Sequence, residues 1–314
     1  MRINFVMSNN VSSGIFNSII GYFKKYLPEN YELFVTEFPL DNMDVYHYHR
    51  PNLEQKLLKN SVVTVHHDLE DTDPWFCASQ FIQRYHEAKH VICLNSRQKY
   101  ILHKTERLFN CSIIPHAVNK DIFYQTKRTY KENKKLVLGI VSKRYGRRVK
   151  GEALMHELYK RLDNKYIKFY FIGEGRGRDQ IEAESFGFEV DSYESLPYKL
   201  FNQLYQKLDI LLVPSLFEGG PANIPEALFT KTPILARNIA MASDVMIEGV
   251  NGYFLSGIPQ KDAQLINDLA NNKNNLMSNL IEQINKSSPD VMMWQDVVSA
   301  HDEIYKKIVN KVEV

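Results

Sequence analysis

Apolar residues along this chain fall into short runs, set apart by polar turns and by stretches with helical spacing. Arg2-Ile3-Asn4-Phe5-Val6-Met7 turns polar at Ser8-Asn9-Asn10 and predicts a first strand, being too short for the apolar core of a signal peptide. Ile15, Phe16, Ile19, Ile20, Tyr22 and Phe23 then recur at the spacing of one helix face. Tyr31–Thr36, Asp44–His49, Ser61–His67 and His90–Asn95 predict four more strands, most of them separated by helical segments. Alternation of this kind implies a parallel sheet covered by helices.

The pattern then breaks and restarts. Lys127-Arg128-Thr129-Tyr130-Lys131-Glu132-Asn133-Lys134-Lys135 is polar and basic, and predicts a solvated linker. Beyond it, Leu136–Val141, Ile167–Ile172, Leu208–Val213, Pro233–Ala236 and Gly252–Leu255 predict a second series of strands. Helical patterns follow from about Lys261, and the last one starts at Trp294. The length of 314 residues fits two domains at about 150 residues each. The expected architecture is α/β, with two doubly wound parallel-sheet domains over residues 1–130 and 131–290. Such sheets bind ligands at the carboxyl ends of their strands, so the two are expected to face one cleft. A last helix over 291–314 is expected to pack back on the first domain.

Composition narrows the function. Lys+Arg 39 against Asp+Glu 37 gives a formal charge of +2, which speaks against wholesale nucleic-acid binding and leaves local basic clusters free to hold small anions. Cys77, Cys93 and Cys111 are odd in number and lack C-x-x-C spacing, so free thiols are expected rather than a disulfide framework. No apolar run approaches the roughly 20 residues of a membrane-spanning helix. A soluble, cytoplasmic protein is the expectation.

Four segments carry candidate chemistry. Val213-Pro214-Ser215-Leu216-Phe217-Glu218-Gly219-Gly220-Pro221-Ala222-Asn223-Ile224-Pro225-Glu226 reads as a buried strand, a glycine-rich turn and a helix start. Gly219 and Gly220 let backbone N–H groups approach an anion or a sugar. Glu218 and Glu226 form a carboxylate pair able to accept from vicinal hydroxyls, the plainer alternative being a helix cap and a solvated side chain. Ser142-Lys143-Arg144 through Lys150-Gly151 reads as a strand end, a basic loop and a helix start, where Lys143 or Arg144 and Lys150 can converge on a diphosphate. Thr64-Val65-His66-His67-Asp68 ends a strand, and side-chain alternation puts one of the two histidines on the ligand side. The fourth is Ser12-Ser13-Gly14, between the first strand and helix. Asp71-Thr72-Asp73 is a short D-x-D triplet without a second carboxylate cluster, and His86 with His90 lacks a third ligand, so no metal site is expected. His47 and His49 alternate on a strand end and read as structural or as acceptor surface.

Together these segments resemble the family 4 retaining glycosyltransferases. Glu218 to Glu226 is similar to that family's E-x7-E signature in an E-G-G-P form followed by E-A-L, and Lys150-Gly151 to its K-G pair. Ser142 stands where glycine is usual and Lys143 where arginine is usual, with Arg144 one position later, so the first cation is open between them. Phe171-Ile172-Gly173-Glu174-Gly175 resembles the strand-end I-G-x-G turn, and Ile114-Pro115-His116-Ala117-Val118-Asn119 the I-P-N-G-V-D turn, there departing at His116 and Ala117. The resemblance implies a GT-B fold with Glu226 on the ribose, Glu218 with Gly219, Gly220 and Pro221 at the donor sugar, and Gly173 near the nucleotide. It also implies His66 or His67 beside the transferred sugar, Ser13 and Gly14 near donor phosphate or acceptor, and the nucleobase at the loop 190–195. The implied activity is hexosyl-type transfer from a nucleoside-diphosphate sugar, with retention and without metal or cofactor. The implied acceptor is a glycan or lipid-linked glycan of surface polysaccharide synthesis, with peripheral contact at the inner membrane face left open. The alternatives are an epimerase or hydrolase of the same fold, and a non-catalytic sugar-nucleotide-binding protein.

Overall fold

The structure is a computed structural model that describes residues 1–7 and 14–310. Its contacts divide the chain into two units: Met1–Ala117 with Glu218–Gly220 and Met292–Val314, and Val118–Phe217 with Pro221–Val291.

In the first unit, β1 (Arg2–Val6), α1 (Gly14–Tyr26), β2 (Glu32–Thr36), β3 (Val45–Tyr48), β4 (Ser61–Thr64), α2 (Ile82–Glu87), β5 (His90–Cys93), α3 (Ser96–Lys104) and β6 (Cys111–Ile113) follow one another. The strands are all parallel, in the order β2-β1-β3-β4-β5-β6. Neighbouring residues on a strand face opposite ways, and both faces are covered. Ile3, Phe5, Val45, Val62 and Ile92 join one apolar cluster, while Val6, Tyr46, Tyr48, Val63 and Val91 join another.

The second unit holds β7 (Leu136–Val141), α4 (Glu152–Tyr159), β8 (Ile167–Ile172), α5 (Gly177–Ser185), β9 (Glu189–Tyr193), α6 (Phe201–Lys207), β10 (Ile210–Val213), α7 (Asn223–Phe229), β11 (Ile234–Arg237), α8 (Ala242–Val245), β12 (Gly252–Leu255), α9 (Pro259–Ala270) and α10 (Leu276–Lys286). Its parallel sheet runs β12-β11-β10-β7-β8-β9, the Rossmann order, with the strand direction of travel reversing between β7 and β10. The first sheet reverses between β1 and β3 instead, which is the flavodoxin-like order with one strand added.

The final helix, α11 (Trp294–Asn310), belongs to the first unit. Its Val297, Val298, Ile304, Tyr305 and Ile308 share a cluster with Phe16, Ile19 and Phe23 of α1, and Trp294 stacks on Tyr22 at 4.6 Å. No helix among the described residues is long and apolar enough to cross a membrane.

Three elements differ from the hydrophobic reading. The loop expected at 190–195 is largely β9, an edge strand whose Glu189 and Asp191 pair with Lys168. Charges on an edge suit a strand exposed on one side and erase the apolar signal. β6 is a three-residue edge strand with no apolar run of its own. The basic stretch expected as a solvated linker is anchored by Arg128. Its guanidinium donates to the carbonyls of Tyr205 (2.6 Å) and Leu208 (2.7 Å) and to the Thr232 hydroxyl. Its backbone exchanges two hydrogen bonds of 2.9 Å with the Asn285 amide. Burial lowers the Arg128 pKa to about 10 without discharging it, and these acceptors compensate the buried cation.

Arg128→Met should therefore destabilise the protein by roughly 2–4 kcal/mol, because it strands the carbonyls at the end of α6 as well as losing charged hydrogen bonds. Denaturant unfolding checks this, and an unchanged midpoint would return the segment to the status of solvated linker.

Candidate active site

Strand ends on either side of a topological switch point are where open α/β sheets take ligands. In the second unit, the loops after β7 and β10 meet there. The Leu216 N–H donates to the Val149 carbonyl at 2.8 Å, and Gly151 (φ +86°) lies so close to Pro214 that a Cβ would collide with its carbonyl. The loop after β8 presses on the same place, since Gly173 (φ +136°) leaves no room for a Cβ against the Ser142 carbonyl. The close approach that demands glycine at 173 is thus between two loops.

Beneath these loops sits a residue that the sequence did not single out. Arg176 is only 1% exposed. It donates to the Ser142 carbonyl (2.8 Å) and hydroxyl (2.9 Å) and pairs with Asp179 at 2.6 Å. Asp179 also takes the Arg144 guanidinium, and Glu152, itself buried, lies 3.9 Å from Arg144 Nε. Arg144 is therefore committed to a buried carboxylate. Lys143 instead pairs at 2.5 Å with Glu174, a far more exposed partner, and the Lys150 ammonium lies 5.4 Å from the centre of the Tyr145 ring. Of the two candidates for the first phosphate cation, Lys143 is the one on the surface of the loop. Glu194 caps the start of α5, accepting from the N–H groups of Gly175 (2.5 Å) and Gly177 (2.9 Å), which hold its carboxyl below the usual range.

Glu226 lies in α7, the helix that follows β10, and Asn223 in its first turn ties back to the Val141 carbonyl at 2.9 Å. The Glu226 side chain is buried, not solvated. It accepts from Tyr198 Oη at 2.6 Å and Tyr205 Oη at 2.8 Å. Burial pushes its carboxyl up to about 7, against the pull of both hydroxyls. Pro221 is buried in the same unit.

Glu218, Gly219 and Gly220 group with the first unit. Asp68 accepts from the Glu218 N–H at 3.2 Å, and Asn95 Nδ2 donates to the Gly219 carbonyl at 2.7 Å. A side chain at 219 would strike the His66 carbonyl, and one at 220 would meet Leu94. His67 is a core residue: its ring nitrogens lie 2.9 Å from the Phe76 carbonyl and 2.7 Å from Tyr85 Oη, and it stacks on Phe81 at 3.9 Å. His66 lines an open pocket of about 300 Å³ together with His49, Thr64, His116, Trp294 and His301. Burial leads in holding His66 well below the ordinary histidine value and in lowering His116 and His301 to about 4. His47, which the sequence left open as acceptor surface, is fully buried between Tyr305 Oη and Thr64 Oγ1, each at 2.7 Å. Gly14 opens α1, and Ser13 lies outside the described residues. Asp71 and Asp73 accept from backbone N–H groups two residues on, at 3.0 and 2.9 Å, and among the described residues no three metal-type ligands come together.

Residues 124–287 match the family of Glycosyl transferases group 1. The chain belongs to this family. Lys143, Lys150, Gly173, Glu218 and Glu226 of this group 1 glycosyl transferase fall inside the matched span, and Gly14, His66 and His67 outside it. A curated relative, the O-antigen chain mannosyltransferase RfbU of Salmonella typhimurium, is 25% identical over 207 residues, which cover 62% of this chain and 56% of RfbU. The chain thus spans little more than half the length of that relative. Sucrose-phosphate synthase from Thermosynechococcus elongatus is 12% identical at a TM-score of 0.74, covering 99% of this chain and 100% of its own. HepE from Anabaena, solved with UDP and glucose, is 14% identical at a TM-score of 0.71, covering 98% and 100%. The fold is GT-B.

Because the native chain holds a proton on Glu226 between its ordinary value of 4.5 and about 7 where the unfolded chain does not, stability falls as pH rises through that window. Glu226→Gln is neutral throughout. Its melting temperature should gain on the parent by on the order of 5 °C between about pH 5 and about pH 8. A difference that stays constant with pH would mean an ordinary carboxyl.

Proposed function

We propose that this protein transfers a hexosyl unit, with retention, from a nucleoside-diphosphate sugar to a glycan or lipid-linked acceptor of surface polysaccharide synthesis. The observation that carries the reading is Glu226, buried just beyond the switch point of a Rossmann-order sheet and inside the span that matches the family. A carboxylate there can accept from both ribose hydroxyls, with Tyr198 and Tyr205 orienting it. UDP and glucose in HepE support a nucleotide-sugar donor, and the O-antigen chain of RfbU supports a surface glycan as acceptor.

In this reading Lys143 and Lys150 stabilise the diphosphate as it leaves with added charge, a task that needs no metal ion. Glu218 and the amides after it hold the donor sugar, and His66 faces it. Trp75 and Phe38, 80% and 71% exposed on the first unit, offer apolar side chains for peripheral contact with a membrane that carries the acceptor.

A panel of nucleotide sugars, read by thermal stabilisation and then by nucleotide release with and without acceptor, tests the assignment. Release that needs acceptor supports transfer. Release from donor alone means a hydrolase, conversion of the donor to an isomer without net release means an epimerase, and binding with neither means a non-catalytic binder.

Chelator in excess should leave the rate unchanged, whereas loss restored by manganese or magnesium would shift the cation role to Asp71 and Asp73.

The two glutamates should separate kinetically. Glu226 touches a part of the donor that does not react, so Glu226→Gln should raise the donor KM more than it lowers kcat. Glu218→Gln should lower kcat while calorimetric binding of the free nucleoside diphosphate stays nearly intact. The opposite pattern would reverse the two roles.

A further inference from the structure

We propose that His49 is a positioning residue: its Nδ1–H donates to His66 Nε2 and so holds the His66 ring with its own proton on Nδ1. The proposal rests on the reading of His66 as the histidine that faces the transferred sugar. His49 Nδ1 and His66 Nε2 are 2.9 Å apart, so one of the two nitrogens carries the shared proton. The other nitrogen of His49 decides which. His49 is 3% exposed, and its Nε2 is enclosed without a hydrogen-bond partner among the described residues. A buried N–H left without an acceptor is rarer than a buried acceptor left without a donor. The His49 proton therefore sits on Nδ1, and His66 Nε2 must accept.

The surroundings keep this pair neutral and fixed. Burial lowers His49 to about 3, helped by His301 and Arg50, and an added proton on His66 would set its Nε2–H against the His49 Nδ1–H. His49 stacks on His47 at 4.3 Å and meets the edges of Phe5 at 4.8 Å and Phe16 at 5.9 Å. His47 is itself held at both nitrogens by Tyr305 and Thr64, so the stack has an anchored base. Phe16 also meets the His66 ring at 5.0 Å. With Nε2 engaged and the proton on Nδ1, His66 has no free lone pair for abstracting a proton. It acts as an oriented hydrogen-bond donor to a substrate oxygen, not as a general base.

Two measurements test this on the full chain. Long-range 1H–15N spectra of protein labelled at the histidine ring nitrogens, with His66 assigned by loss of its signals in His66→Gln, read the tautomer directly. The expected result is a single Nδ1–H form of His66 that becomes a mixture in His49→Leu. An Nε2–H form in the parent, or no change in the variant, overturns the proposal.

Steady-state kinetics give the second readout. Asn carries its amide nitrogen where His has Nδ1, and Gln where His has Nε2. His49→Leu and His49→Gln should lower kcat roughly tenfold with donor KM within about twofold, and His49→Asn should stay within about threefold of the parent. Equal losses for Asn and Gln, or none for Leu, overturn it. If the parent transfers no sugar at all, the functional reading fails, and the tautomer spectrum still decides the His49–His66 bond.

Discussion

Within each sheet all strands run the same way, and this parallel arrangement governs everything else in the molecule. Every loop that leaves a strand's carboxyl end emerges on one rim, while both faces are closed off by helices. Chemistry can therefore collect only along the rim, and it collects where neighbouring loops diverge. In the second unit that place joins the loops after β7, β8 and β10, which touch closely enough that Gly151 and Gly173 admit no side chain. Such loops have little room to move apart without breaking backbone contacts. The lysines at 143 and 150 are carried on a frame set by packing rather than by their own bonds.

That frame contains charges buried deeply enough to be a hazard if unpaired. Arg176 is tolerated because a carbonyl, a hydroxyl and Asp179 surround it, and Asp179 is shared with Arg144. The first unit solves a similar problem without charge. Its histidines at 47, 49, 116 and 301, which are buried, and the half-buried His66 are all driven toward the neutral form by desolvation. A polar seam of neutral rings keeps directional hydrogen bonding inside an apolar core without the desolvation of a fixed charge.

Strands buried on both faces were plain in the sequence, since continuous apolar runs such as Leu136–Val141 or Ile210–Val213 have little else to be. Two of the four edge strands, β2 and β12, were also read, but β9 carries Glu189 and Asp191 and β6 has three residues, and neither left an apolar run. The glycine-rich turn and its two glutamates stood out through their likeness to the E-x7-E signature, but the burial of Glu226 did not: its tyrosine partners lie 28 and 21 residues upstream, at no telling interval. Arg128 and Arg176 escaped notice for a related reason. A basic residue in a polar stretch looks solvated unless one knows which carbonyls converge on it. That His67 is held in the core likewise depends on Phe76 and Tyr85, which no local pattern connects to the strand end.

The last helix of the chain completes the first unit, and this has a consequence for how the molecule is made. Synthesis proceeds from the amino end, so the residues of β1 to β6 and α1 leave the ribosome long before α11 does. Until then Phe16, Ile19 and Phe23 have no α11 to cover them. The second unit, whose residues all precede Met292, can close first. The nascent chain therefore matures out of order, its middle settling before its beginning, and the exposed face of α1 is what a chaperone would meet in the interval.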